Sequence, residues 1–265
     1  MKTQLCSVAL TLALAASAHA DVVMVMETKN MTSDTPTAAT QEMFLTADKL
    51  SGHIRSGGQE QQMIYRGDKK LLWMIDTANK SYMELTEAGL AALGEQVNAT
   101  MKERLAQVPA DQRAQAEAMV KARMGEGAKA SVIDAKNTGE KKTMEGHACV
   151  KWDLFRDGQK SGEAWVAPRS EFKVAPADFA VFASLAQFFD NVRKAIPMAS
   201  ALWRNGDTFA LFSKIDGIPV VTRRLEGDKL MGETVLKSLD HKPAAATEFA
   251  LPSGLTEQTM GGPTH

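Results

Sequence analysis

Cysteine is nearly absent from this chain of 265 residues, with two in all. Cys6 falls in the first twenty residues, which leaves Cys149 alone, and a single thiol excludes an internal disulfide framework. Net charge is nearly absent too. Lys and Arg total 31 against 32 Asp and Glu, a balance of −1. No basic surplus is available to hold nucleic acid or to lie against an anionic membrane surface. The catalytic signatures G-x-S-x-G, P-loop, G-x-G-x-x-G, C-x-x-C and H-E-x-x-H are all missing. These absences predict a protein that is not an enzyme, with no cofactor, no metal and no nucleic-acid partner.

What is present begins with a leader. Met1-Lys2 supplies a positive start, Leu5 to Ala16 is an apolar run, and Ala18-His19-Ala20 is a small-x-small site. That pattern predicts a secretory signal peptide over 1–20, cleaved after Ala20, and it is too short and wrongly flanked for a membrane span. Cys6 lies at the start of the apolar run, so it is not placed for lipid attachment. The expected destination is the periplasm, without a membrane anchor. With 44% apolar residues the remainder can bury a sizeable core.

Strand patterns come first. Residues 21–29, 42–48, 61–66, 71–76 and 81–85 alternate or run apolar, with short turns such as Gly67-Asp68 between them. Arg66-Gly67-Asp68 spells an adhesion tripeptide, but Gly and Asp are the ordinary residues of a tight turn. The period then lengthens. Leu90, Leu93, Val97, Met101 and Leu105 recur at steps of three and four, which predicts one helix face. Pro109 breaks that helix, and a second runs to about Met124 with few large apolar residues. Residues 86–127 therefore read as a helical hairpin inserted between two runs of strands. The sequon Asn98-Ala99-Thr100 falls inside it.

Strands resume from Ser131, with 147–155 and 162–167 joined at Asp157-Gly158. Pro176 opens a third helix, 176–196, at the position where proline is best tolerated. It carries Phe179, Val181, Phe182, Leu185, Phe188, Phe189, Val192 and Ile196. Three further strands are expected at 207–215, 218–226 and 229–239, followed by a loose end over 240–265 apart from Phe249-Ala250-Leu251. The fold class is α+β and mainly β. About eleven strands form one strongly curved antiparallel half-barrel that encloses, or is capped by, helices. A single domain spans 21–255, and 256–265 is a loose tail.

Several features have a bland reading beside a functional one. His147, Cys149, Lys151 and Asp153 share a strand face, but two soft ligands do not make a metal site. The 15 methionines show no tight Met-x-x-Met cluster and read as core filling. The aromatic helix 176–196 either plugs the core of the half-barrel or lids a cavity for an apolar ligand.

Met63 to Asp76 (MIYRGDKKLLWMID) with Asn79 to Tyr82, and Lys142 to Trp152 with Gly162 to Ala167, are similar to two stretches of an uncharacterised family of exported bacterial proteins. That family is described as a domain of unknown function. It resembles the periplasmic lipoprotein carriers LolA and LolB in layout. The resemblance implies a LolA-like fold over about 21–255, a curved sheet around helices with an apolar cavity between them, and no catalytic residue. The expected cavity candidates are Trp73, Trp152, Phe179, Phe182, Leu185 and Phe189. The expected function is non-enzymatic binding of a lipid, an acyl chain or a lipoprotein tail on the concave side of the sheet. The alternative is a structural or partner-binding envelope protein whose cavity is filled by its own helix.

Overall fold

The structure is a computed structural model that describes residues 21–32, 35–128, 131–195, 206–212 and 214–258. The expected leader over 1–20, Ile196 at the end of the aromatic helix, and the last residues of the tail, 259–265, lie outside the described residues. Twelve strands form one sheet. In chain order they are β1 (Val22–Asn30), β2 (Thr37–Leu45), β3 (Lys49–Ser56), β4 (Gln59–Arg66), β5 (Leu71–Asp76) and β6 (Ser81–Thr86), then β7 (Ile133–Met144), β8 (His147–Arg156), β9 (Gln159–Ala167), β10 (Ile218–Glu226), β11 (Lys229–His241) and β12 (Thr256–Glu257). Among the described residues four α-helices accompany them: α1 (Glu87–Ala106), α2 (Ala110–Ala128), α3 (Ala180–Ala195) and α4 (Gly206–Phe212).

The spatial order is β12-β6-β5-β4-β3-β2-β1-β11-β10-β9-β8-β7. It consists of two meanders, β1 to β6 and β7 to β11, joined by antiparallel pairing of β1 with β11. Among the described strands only β12 is parallel to its neighbour, β6. So large a sheet must coil. Bulges at Val25/Met26, Pro219/Val221, Arg224/Leu225, Leu154/Phe155 and Asn137/Lys141 add bend to that coiling in the β1 and β7–β11 half. Pro219, which has no N–H to give a ladder, sits at one of these irregularities. The β4–β5 turn needs its glycine for a different reason. A Cβ on Gly67 would stand 2.7 Å from the carbonyl oxygen of Asp48, and Gly67 N–H donates to that same oxygen.

The helical hairpin follows from this topology. β6 lies beside one edge of the sheet and β7 is the other edge, so α1 and α2 carry the chain from one side to the other. Thr86 caps α1 by accepting from Gly89 N–H at 3.0 Å. Leu90 and Gly94 of α1 are buried, while Leu93, Val97, Met101 and Leu105 are half-buried, so the predicted stripe is the packed one. Glu87 ties this hairpin to α3 by accepting from the Asn191 side chain at 3.2 Å. α2 is exposed over nearly all its described positions, as its scarcity of large apolar residues implies.

Helices α3 and α4 form the connection from β9 to β10. Val181, Phe182, Leu185, Phe188, Phe189 and Val192 of α3 are all buried, and Ala180, Ala183, Ser184, Gln187 and Lys194 are exposed on its wet side. The main core joins these residues to Leu45, Leu50, Tyr65, Leu72 and Leu85 of the sheet.

Three expectations are corrected. Residues 207–212 of the strand expected at 207–215 are not a strand but part of α4, and residue 213 lies outside the described residues. Thr208-Phe209-Ala210-Leu211-Phe212 is a short apolar run whose period does not distinguish strand from buried helix. Tertiary packing decides, because Phe209 and Phe212, one helical turn apart, both reach Phe182. The sequence reading has no strand at β3, whose Lys49-Leu-Ser-Gly-His-Ile-Arg-Ser lacks a strong alternation because Gly52 stands where a large residue would mark the face. Finally, 246–258 is not loose. Ala246–Phe249 forms a 3-10 turn, and Thr256–Glu257 adds β12 to the sheet, with Thr256 N–H donating to Lys80 and Gln258 N–H to Tyr82.

Candidate functional site

Directly opposed residues on neighbouring antiparallel strands project from the same face, so the register sorts every strand position. One face carries the helices and is the inner face. Across it runs the row Leu85, Leu72, Tyr65, Leu50, Leu45 and Val22. Helix α3 rests on this row, with Phe188 against Tyr65 at 5.6 Å between ring centroids and the Tyr65 hydroxyl bonded to Ser184 at 2.7 Å. Burial pushes the Tyr65 hydroxyl above its usual range, although the Ser184 bond opposes this.

The next row, one pleat further along the strands, is made of methionine. Met83 pairs with Met74, Met74 with Met63, Met63 with Gly52, Gly52 with Met43, and Met43 with Met24. At roughly 4.8 Å between strands the row spans about 24 Å. Met43 and Met24 are buried, Met63 and Met83 pack half-buried against the core, and Met74 is 41% exposed. A third row, Gln61, Ile54, Gln41 and Met26, borders it, and there Ile54 is also 41% exposed. The inner face therefore passes from a sealed core under α3 to an apolar strip that solvent reaches. Most side chains in that strip are unbranched and adaptable.

The expected cavity residues separate into two places. Phe179, Phe182, Leu185 and Phe189 come together in the main core. Phe182 stacks on Phe179, Phe209 and Phe212 at 5.7, 5.7 and 4.6 Å. Trp152 lies on the same face beyond α4, packed with Leu154, Val166, Leu211 and Ile215. Helix α4 thus stands between the two groups and fills the space expected to be open there. Trp73 does not join them. The register puts it on the outer face with Ile64, Ile75 and Tyr82, where Leu251 and Leu255 cover it and its indole N–H donates to Glu84 at 2.8 Å. A Trp at position 73 follows the inward Leu72, so alternation alone sends it outward.

That covering segment is fastened by polar contacts. His53 bonds Glu60 through Nδ1 at 2.9 Å and Glu248 through Nε2 at 3.1 Å, and Arg66 donates to the Phe249 carbonyl at 3.2 Å. Elsewhere the outer face carries a charge ladder. Glu163 accepts from Arg223 at 3.2 Å and pairs with Lys151 at 3.1 Å, and Arg223 also donates to Glu233 at 2.8 Å. Burial works against the Glu163 carboxylate, but the Lys151 and Arg223 bonds outweigh it and hold its pKa below the usual range. Cys149 is buried on this face, and burial pushes its thiol above the usual range, which is opposite to nucleophile activation. His147 is engaged with Glu171 at 2.6 Å. Among the described residues no three His, Cys, Asp or Glu side chains gather to hold a metal ion, and no helix is long and apolar enough to cross a membrane.

The methionine row lies beyond a reading of the sequence. Its members are nine to twenty residues apart, and only the hairpin registers bring them abreast. The available signal is Met63 and Met74 on either side of the Gly67-Asp68 turn.

No family model matches the chain, and no curated protein matches it. Among solved structures it is similar to an uncharacterized conserved protein from Thermus thermophilus, at 6% identity over 91% of each chain with a TM-score of 0.48. It is also similar to MucB, at 9% identity over 89% of this chain and 59% of that one, TM-score 0.38. The MucA/MucB complex of Pseudomonas aeruginosa gives 9% identity over 89% and 57%, TM-score 0.39. The chain thus spans less than two thirds of the MucB chains it matches.

Proposed function

We propose that this is a non-enzymatic, LolA-like protein of the periplasm that holds an apolar ligand, a lipid or acyl chain, along the inner face of its sheet. The observation that carries this reading is the half-open strip of Met83, Met74, Met63 and Ile54 beside the sealed core. Ile54 and Met74, two of the four exposed large apolar side chains among the described residues, both lie in it, while the other two, Met119 and Val132, stand elsewhere. Apolar side chains left together at solvent mark a binding surface more often than chance exposure does. Each methylene buried there contributes about 0.8 kcal/mol, so a long chain binds without a charged anchor.

The test is titration with a fluorescent fatty-acid probe, alongside native mass spectrometry of protein purified from its own envelope. Probe binding that Met74→Glu and Ile54→Glu each weaken is the expected result. Absence of both probe binding and co-purified lipid would remove the carrier reading. What would then remain is an envelope protein that binds a protein partner, a reading favoured by the way α4 fills the space between Phe182 and Trp152.

A further inference from the structure

Three methionines from three adjacent strands stand side by side on the inner face. Met83 of β6 directly opposes Met74 of β5, and Met74 directly opposes Met63 of β4. Opposed Cβ atoms in an antiparallel pair are about 4.5–5.5 Å apart, and each side chain has three rotatable bonds. The three sulfurs can therefore turn toward one point above β5 without movement of the backbone. Solvent has access to that point, because Met74 is 41% exposed and its two neighbours are half-buried.

The surroundings suit a soft ligand set. Leu72 and Leu85 flank the trio on the core side. On the other side are Ser81, Gln61 and Asp76, and the Asp76 carboxylate already accepts from the backbone and side chain of Asn79 at 3.0 and 2.8 Å. The inner-face positions of β4, β5 and β6 hold no lysine or arginine, so these strands bring no fixed positive charge to a cation. Met43 and Met24 continue the row past Gly52, but they are buried and belong to the core.

We propose that Met63, Met74 and Met83 form an all-thioether site for a soft monovalent cation, copper(I). Thioether sulfur selects copper(I) over harder ions. It also carries no proton to displace, so binding at this site is insensitive to pH in a way that thiolate or imidazole sites are not. The buried Cys149 lies on the opposite face and takes no part.

The experiment uses the untagged full chain, kept anaerobic with ascorbate, and lets it compete with the chromogenic copper(I) chelator bicinchoninate. The parent should withdraw one equivalent of copper. The variant with all three methionines changed to leucine should lose that competition, and Met74→Leu alone should weaken it at least about tenfold, the scale on which altered coordination tells. Cys149→Ser should bind as the parent does. Leucine is near methionine in volume, so folding, followed by circular dichroism, should persist. Copper withdrawal is measured without any fatty-acid probe, so this proposal stands or falls apart from the apolar-ligand reading. No copper withdrawn by the parent would overturn it. So would a triple variant that binds like the parent, or loss of binding in Cys149→Ser.

Discussion

Phe189 of α3 and Phe209 of α4 lie almost parallel, their ring planes 6° apart and their centroids 6.1 Å apart. Phe189 is 4% exposed and also touches Phe188 edge-on at 6.2 Å. The contact locks α4 onto α3. It also makes Phe189 a filled core position, where a lid would have left it facing an adjustable void.

Phe189→Ala should therefore cost about 3–5 kcal/mol, the usual cost of a phenylalanine cavity that its neighbours cannot fill. Phe182→Ala, at a site 1% exposed among three rings, should cost a similar amount. Chemical denaturation of each variant checks this. A loss below about 1 kcal/mol would mean that the helices adjust freely there and that the packing is not what holds α4.

The charge ladder gives a pH signature. Glu163 has a folded pKa below its unfolded one, so its contribution is present above the unfolded value, about 4.3. It is lost as the pH falls through the folded value. Melting temperatures of the parent and Glu163→Gln should differ at neutral pH, with the variant lower because Lys151 and Arg223 lose their shared partner. That difference should shrink below about pH 4.3. A gap that stays constant from pH 7 to pH 3 would show that the ladder is solvated and contributes nothing specific.

How much of the fold is legible in the sequence depends on which signal each element needs. Most strands of the two meanders are legible because Val, Ile, Met and Leu alternate with polar residues between Gly-Asp type turns, and α1 is legible because Leu90 to Leu105 keep a helical period. β3 is hidden because Gly52 removes one member of its alternation. α4 reads as a strand because five residues cannot show a period. The site is harder still. Phe182, Leu185 and Phe189 emerge from one helix and Phe179 from the 3-10 turn, Pro176–Phe179, that leads into it, since neighbours along a helix are neighbours in space. The methionine row needs five registers at once, and no local window contains it. Size alone suggests the inner face for Trp73, yet its place beside Leu72 sends it outward.

The C-terminal segment offers a test of that placement. Leu251 and Leu255 cover Ile64, Trp73 and Ile75 on the outer face. Leu251→Asp should detach the segment and cost about 1–3 kcal/mol. Acrylamide quenching of Trp73, read as the difference from a Trp73→Phe background, should rise with it. If quenching is unchanged in a folded Leu251→Asp protein, something other than this segment shields the indole.

Gly52 occupies the middle of the methionine row, between Met63 and Met43. A Cβ there would meet only Leu50 Cδ2 at 3.8 Å and Met43 Cγ at 3.9 Å, which are ordinary contact distances. Neither space nor backbone requires a glycine, so Gly52→Ala should hold or raise stability by about 0.5–1 kcal/mol through the lower entropy of the unfolded chain. Gly52 is buried where the strip meets the core, and a larger side chain there extends along the row toward Met63 and Met43. Gly52→Leu should remain folded and yet fill the floor where an apolar ligand would lie. Binding of the fatty-acid probe should then weaken about tenfold, a loss of about 1.4 kcal/mol, while the melting temperature changes little. The comparison separates occupancy from stability, which the phenylalanine variants cannot do. Equal probe affinity in parent and Gly52→Leu would place any ligand away from the methionine row.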